Sequence, residues 1–201
     1  ILGDTGGATR VELNGALAGP GDGLTVLGGN SVIRSLVINN FDGYGITLSE
    51  IPGNTVTNCY IGVNAAGTAA APNTLDGIHI DALGNNNVIG GTTVGARNII
   101  SGNLGAGISI IAGINNSVQG NFIGTDVTGM IDLGNGGDGV NLDSTSGNTI
   151  GGTFTGAGNV ISGNGGDGVS LSGATNNQVQ GNLIGVQATG GGALGDRKSV
   201  V

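Results

Sequence analysis

Six short segments share one pattern, a glycine followed by apolar, polar and apolar residues: GLTV at Gly23, GITL at Gly45, GIHI at Gly77, GISI at Gly107, GVNL at Gly139 and GVSL at Gly168. Alternation over four residues is the mark of a half-buried strand. The segments recur at spacings of 22, 32, 30, 32 and 29 residues, which leaves no room for a helix between strands and falls in the range of solenoid repeats. Each turn of chain is therefore predicted to be a coil of strands and loops, stacked so that like segments pair in parallel.

A second anchor follows each of these strands, Asn-x-(Val/Ile), at Asn30, Asn54, Asn87, Asn116, Asn148 and Asn177. Further apolar steps come later in each coil, as SLVI from Ser35, RNII from Arg97 and GNVI from Gly158, or as YIG, FIG and LIG ending at Gly62, Gly124 and Gly185. A longer period overlies the coil: NSVQGNFIG from Asn116 returns 61 residues on as NQVQGNLIG, so the larger unit is a pair of coils. Ile, Val and Leu at alternate positions are expected to stack into a narrow continuous core. Gly and Asn are expected where the chain turns, and Asn at equivalent places, such as Asn121 and Asn182, should form a hydrogen-bonded ladder. Six coils at about 4.8 Å each predict a rod on the order of 30 Å tall.

Composition narrows the class. Gly is 46 of 201 residues, yet 37% of residues are hydrophobic, which excludes a disordered Gly-rich chain, and the triplet period of collagen is absent. Net charge is −8, with only five Lys and Arg, so nucleic acid and anionic membrane surfaces are not expected partners. No apolar run approaches the roughly 20 residues needed to span a bilayer. Cys59 is the single cysteine; no disulfide framework can form, and a packed or turn thiol is expected. DRKSVV at 196–201 departs from the Gly/Asn/Ile idiom, since LGNGGDGV from Leu133 predicts Asn where Asp196 stands. The tail resembles translated sequencing-adapter sequence. The expected domain is thus a single β-helix over 1–195, a fragment open at both ends, with 1–21 an incomplete first coil and no second domain. Exposed coil ends would invite end-to-end stacking.

GNTIGGT, GAGNVISGNGGDGV and GNFIGTDVTG resemble the right-handed parallel β-helix repeats of large exported bacterial surface proteins, over most of the chain from about Arg10 to Gly195. The resemblance implies an all-β, right-handed parallel β-helix of about six coils and a secreted or cell-surface location. It does not settle chemistry, because the same coil carries pectate lyases, polygalacturonases and adhesins.

Alternation places two outward columns on the opening strands. One reads Thr25, Thr47, His79, Ser109, Asn141, Ser170, and the other Leu27, Ser49, Asp81, Ile111, Asp143, Ser172. His79 and Asp81 share a face, and Asp143 lies two coils from Asp81, roughly 9.5 Å, near the upper end of the carboxylate separation in an inverting glycosidase. His79, Asp81 and Asp143 are thus the candidate catalytic residues, with Asn141 and Ser109 as candidate ligand-binding neighbours. Against this, outward strand positions are polar because they are wet, and Ile111 intervenes. The loop GTDVTGMIDLGNGGDG (124–139) offers Asp126, Asp132 and Asp138 as candidate Ca²⁺ ligands. Asp126 and Asp132 become Asn64 and Ala70 in the preceding pair of coils and Gln187 and Ala193 in the next, which favours turn chemistry over a periodic ion site. The expected function is a structural or adhesive rod without a catalytic centre or cofactor, in contact with polysaccharide or cell-surface components. The alternative is a lyase or glycoside hydrolase acting on an acidic polysaccharide.

Overall fold

In a computed structural model, which describes residues 10–50 and 52–196, the alternating segments become short strands in three parallel sheets. The opening segments form the first sheet of six strands: Leu24–Val26, Ile46–Leu48, Ile78–Ile80, Ile108–Ile111, Val140–Asp143 and Val169–Ser172. The Asn steps lead into the second, also of six: Val32–Arg34, Thr55–Thr57, Val88–Gly90, Ser117–Gln119, Thr149–Gly151 and Gln178–Gln180. The third has seven strands, Val11–Asn14, Leu36–Asn39, Tyr60–Ile61, Ile99–Ile100, Phe122–Ile123, Val160–Ile161 and Leu183–Ile184. In each sheet the order follows the chain, every third strand pairing with its successor, so the molecule is a parallel β-helix of about six coils. The SLVI, RNII and GNVI segments and the YIG, FIG and LIG segments alternate within one sheet. A single 3-10 turn at Val94–Ala96 is the helical content of the described residues, and no helix there is long and apolar enough to cross a membrane.

Equivalent inward residues stack along the axis. Ile38, Ile61, Ile100, Ile123 and Ile161 in the third sheet face Ile33, Val56, Ile89, Val118 and Ile150 in the second, and all are essentially sealed from solvent. Three asparagine ladders close the corners between sheets. Before the second sheet, Asn87 donates its backbone N–H and Nδ2 to Asn116 Oδ1 at 2.8 and 3.0 Å, Asn116 does the same to Asn148, and Asn148 to Asn177. Before the third sheet, Asn98, Asn121, Asn159 and Asn182 repeat the arrangement. After it run Asn73, Asn103, Asn135 and Asn164. Each buried amide thereby satisfies its neighbour's backbone as well as its own side chain.

The second-sheet anchor differs from the sequence expectation at one place. Val32 pairs with Thr55 and Ile33 with Val56, so Ser31, and not Asn30, stands opposite Asn54. Asn30 occupies the preceding column, where the backbone enters the left-handed region: φ is 56° at Asn30, 89° at Gly53, 54° at Asn86, 57° at Asn115, 69° at Gly147 and 56° at Asn176. Only Gly and Asn occupy it, as that conformation favours. Cys59 holds the place of Asn98 and Asn121 in the ladder before the third sheet and is fully buried, as the repeat predicts.

The paired-coil period has a structural cause. After Ile61, Ile123 and Ile184 the chain folds into a small hairpin, bridged Val63 to Ala70, Thr125 to Asp132 and Val186 to Ala193. These hairpins occur in alternate coils and stack: Val127 N–H donates to Gly67 O and Ala188 N–H to Gly129 O, both at 2.9 Å.

Candidate functional site

On the first sheet the first predicted column holds throughout, and the second holds from Ile111 to Ser172. Register runs Thr25, Thr47, His79, Ser109, Asn141, Ser170 in one, and Ile111 pairs with Asp143 and Asp143 with Ser172 in the other. Asn141 Nδ2 donates to Ser109 Oγ at 3.3 Å, so these two meet. Asp81 and Asp143 do not: Ile111, partly buried, lies in the coil between them. Asp81 Oδ2 accepts the Ser49 hydroxyl at 2.6 Å, while its Oδ1 is enclosed without a partner. Asp143 Oδ1 takes the neighbouring Ser144 hydroxyl at 3.0 Å.

His79 turns away from both carboxylates. Its Nδ1 lies 3.3 Å from Asp76 Oδ2, and its ring stacks on Tyr44 with centroids 4.2 Å apart and an interplanar angle of 18°. Burial first, then the charges of Asp76 and Asp22, raise the Tyr44 hydroxyl above its ordinary pKa. The companions of His79 are thus Tyr44 and Asp76, neither of which the sequence analysis named as a candidate. The signal was present: Asp22, Tyr44 and Asp76 each precede an opening glycine, three residues before Thr25, Thr47 and His79, and a short turn brings the two columns together. These acids also hold the coils. Asp22 Oδ1 accepts the Tyr44 N–H at 2.9 Å and its Oδ2 the Thr47 hydroxyl at 2.7 Å, Asp76 Oδ1 accepts the Ala106 N–H at 2.7 Å, and Asp138 Oδ1 accepts the Asp167 N–H at 2.7 Å.

The three acids of the 124–139 loop serve separate places. Asp126 is almost fully buried inside its own hairpin, where it accepts the Thr128 hydroxyl and the N–H groups of Met130 and Ile131. Burial alone would raise its pKa, but the bonds from Thr128 and from the backbone of Ile131, Met130 and Thr128 outweigh it and hold the carboxyl below its ordinary value. Asn64 performs the same closure one pair of coils earlier, accepting the Thr68 N–H at 2.9 Å. Asp132 Oδ1 accepts the Gly134 N–H. Among the described residues no three His, Cys, Asp or Glu side chains converge as a metal site would need, and Asp126, Asp132 and Asp138 are not brought together.

No protein-family model matches the chain, and no curated protein matches it. Among solved structures it is similar to the A-module of a mannuronan C-5 epimerase from Azotobacter vinelandii, at 13% identity and a TM-score of 0.24, over 81% of this chain and 54% of that one. The chain thus spans about half the length of that module.

Proposed function

We propose that the chain is a rigid, non-catalytic segment of a longer secreted or surface-anchored rod, which sets a distance or presents adhesive surfaces. One observation carries this reading: the outward acids Asp22, Asp76 and Asp138 are engaged in coil-to-coil bonds, and the two aligned carboxylates Asp81 and Asp143 are separated by Ile111. Catalysis needs a nucleophile or base and an acid converging on one reacting bond. Here the polar groups of the face are taken up by neighbouring backbone and side-chain partners, coil by coil.

A second reading, a lyase or hydrolase acting on acidic polysaccharide, is favoured by the Tyr44, His79 and Asp76 group, where a phenol, an imidazole and a carboxylate share one patch. A product assay separates the two. Purified chain incubated with mannuronan, polygalacturonate and their neutral counterparts is expected to release no unsaturated ends and no reducing ends above a heat-treated control. Product that disappears in His79→Ala or Asp81→Ala would overturn the rod reading in favour of the enzyme.

A further inference from the structure

The outer face of the third sheet is the chemically distinctive surface of this molecule. Val37, Tyr60, Ile99, Phe122 and Val160 stack there as a second apolar cluster outside the coil, with Leu183 of the same sheet and Val127, Leu133 and Ala188 in or beside the hairpins packed against it. Two cations lie on this stripe. The Arg10 guanidinium sits 3.6 Å over the Tyr60 ring and that of Arg97 3.9 Å over Phe122, favourable cation–π placements. Their hydrogen bonds go to neutral oxygens. Arg10 donates to the carbonyl and the side-chain oxygen of Asn58, and Arg97 Nε donates to Gly120 O at 3.1 Å. Among the described residues neither forms an ion pair. Glu12 stands in the same outer column as Val37 and Tyr60, but among the described residues its partner is Asn39 Nδ2 and not a guanidinium. Burial lowers the Arg97 pKa, as for a guanidinium partly stripped of water.

Cavities flank Arg97 on both sides. A small one of about 170 Å³ lies toward Arg10, Asn58 and Tyr60. A larger one of about 890 Å³, within the size range of ligand sites, is lined by Arg97, Phe122, Thr128, Thr153, Phe154 and Leu183 among others. The larger cavity exists because the repeat changes there. One pair of coils after RNII the arginine becomes Gly158, which vacates the place of a guanidinium, and Thr93 becomes Phe154. Phe154 is 79% exposed on the cavity's rim, a ring held in water with one face available.

We propose that this groove binds an acidic oligosaccharide, with a uronate carboxylate on Arg97 and a sugar ring laid against Phe154. A guanidinium takes a carboxylate through paired N–H donors, an aromatic face takes the C–H side of a pyranose, and the threonine hydroxyls at 153 and 155 can serve the sugar hydroxyls. The site lies on a different sheet from His79, Asp81 and Asp143 and needs no catalysis, so it extends the rod reading without depending on it.

The test is titration calorimetry of the full chain with a hexamer of galacturonic acid, with cellohexaose as the neutral control and sodium acetate as the simple carboxylate. Saturable binding of the acidic hexamer is expected, weakened at least tenfold by Arg97→Gln and by Phe154→Ala and unchanged by Leu17→Ala, which lies at a fully exposed site elsewhere. Phe154→Ala removes only an exposed ring, so its effect is read on an intact fold. Absence of binding, equal binding of cellohexaose or of acetate, or an undiminished Phe154→Ala variant would overturn the proposal. None of these outcomes bears on product formation, which decides the rod reading.

Discussion

Replacing Asn121 by Ala tests how much of the fold rests on the amide ladders. Asn121 is completely buried. Its Oδ1 accepts from the Asn98 backbone N–H at 3.3 Å and from Asn98 Nδ2 at 2.9 Å, and its Nδ2 donates to Ile89 O at 2.9 Å and to Asn159 Oδ1 at 3.1 Å. Alanine cuts all of these and leaves the Asn98 donors and the Ile89 carbonyl buried without their partner. At roughly 1 kcal/mol for each severed bond, with more for groups left unsatisfied, the loss is about 4 kcal/mol. The same change at Asn182, only partly buried, is expected to cost about half as much, because water can reach the orphaned groups. Urea unfolding followed by circular dichroism measures both. A loss below about 1 kcal/mol at Asn121 would refute the claim that the ladder bonds are structural, since the burial and geometry leave no route to so small a cost.

Asp196 completes the ladder after the third sheet: its Oδ1 accepts from the Asn164 N–H and Nδ2 at 2.8 and 2.9 Å, but its Oδ2 is enclosed without a partner. Burial, opposed in part by the bonds from Asn164, raises its pKa; a carboxyl whose folded pKa is raised favours the fold when protonated and loses that advantage as pH rises through it. Asp196→Asn is therefore expected to stabilise the chain by about 1 kcal/mol at pH 7 and by less at pH 4, and equal gains at both values would contradict the assignment. Gly124 has φ +87° and a Cβ there would lie 2.3 Å from Ser162 O, so Gly124→Ala should lower stability by at least about 2 kcal/mol in the same urea assay. Burial first of all pushes the Cys59 thiol up to about 11, so at pH 8 only on the order of one thiol in a thousand is ionised. Iodoacetamide should modify the folded chain at least a hundredfold more slowly than the chain in urea, and comparable rates would place the thiol at the surface.

The repeat made the coil legible because each coil presents the same alternation to the same neighbours: the columns from Thr25 to Ser170 and the Asn121 and Asn182 ladder follow from spacing alone. Register at the start of the repeat was less legible. Asn30 mimics the Asn-x-Val anchor but supplies the left-handed turn, because turn and ladder positions are adjacent and both accept asparagine. The surroundings of His79 were hidden for a related reason: Tyr44 and Asp76 are turn residues by sequence, and only folding of the turn places them against the strand. The third-sheet groove was hidden more deeply. Arg10 and Arg97 occupy non-equivalent coils far apart in the chain, and nothing in the repeat says that both cross onto the outer stripe beside Tyr60 and Phe122.

The rod reading rests on three asparagine ladders and the aliphatic columns between them, which run from coil to coil. Native-state hydrogen exchange tests it most directly, at the backbone amides of Asn98, Asn121 and Asn159, each of which donates to the asparagine one coil on. They are expected to exchange only with unfolding of the ladder, far more slowly than the exposed loop amides at Val94 and Phe154. Exchange at Asn121 as fast as at Phe154 would mean that the ladder opens locally, and the scaffold account would fail.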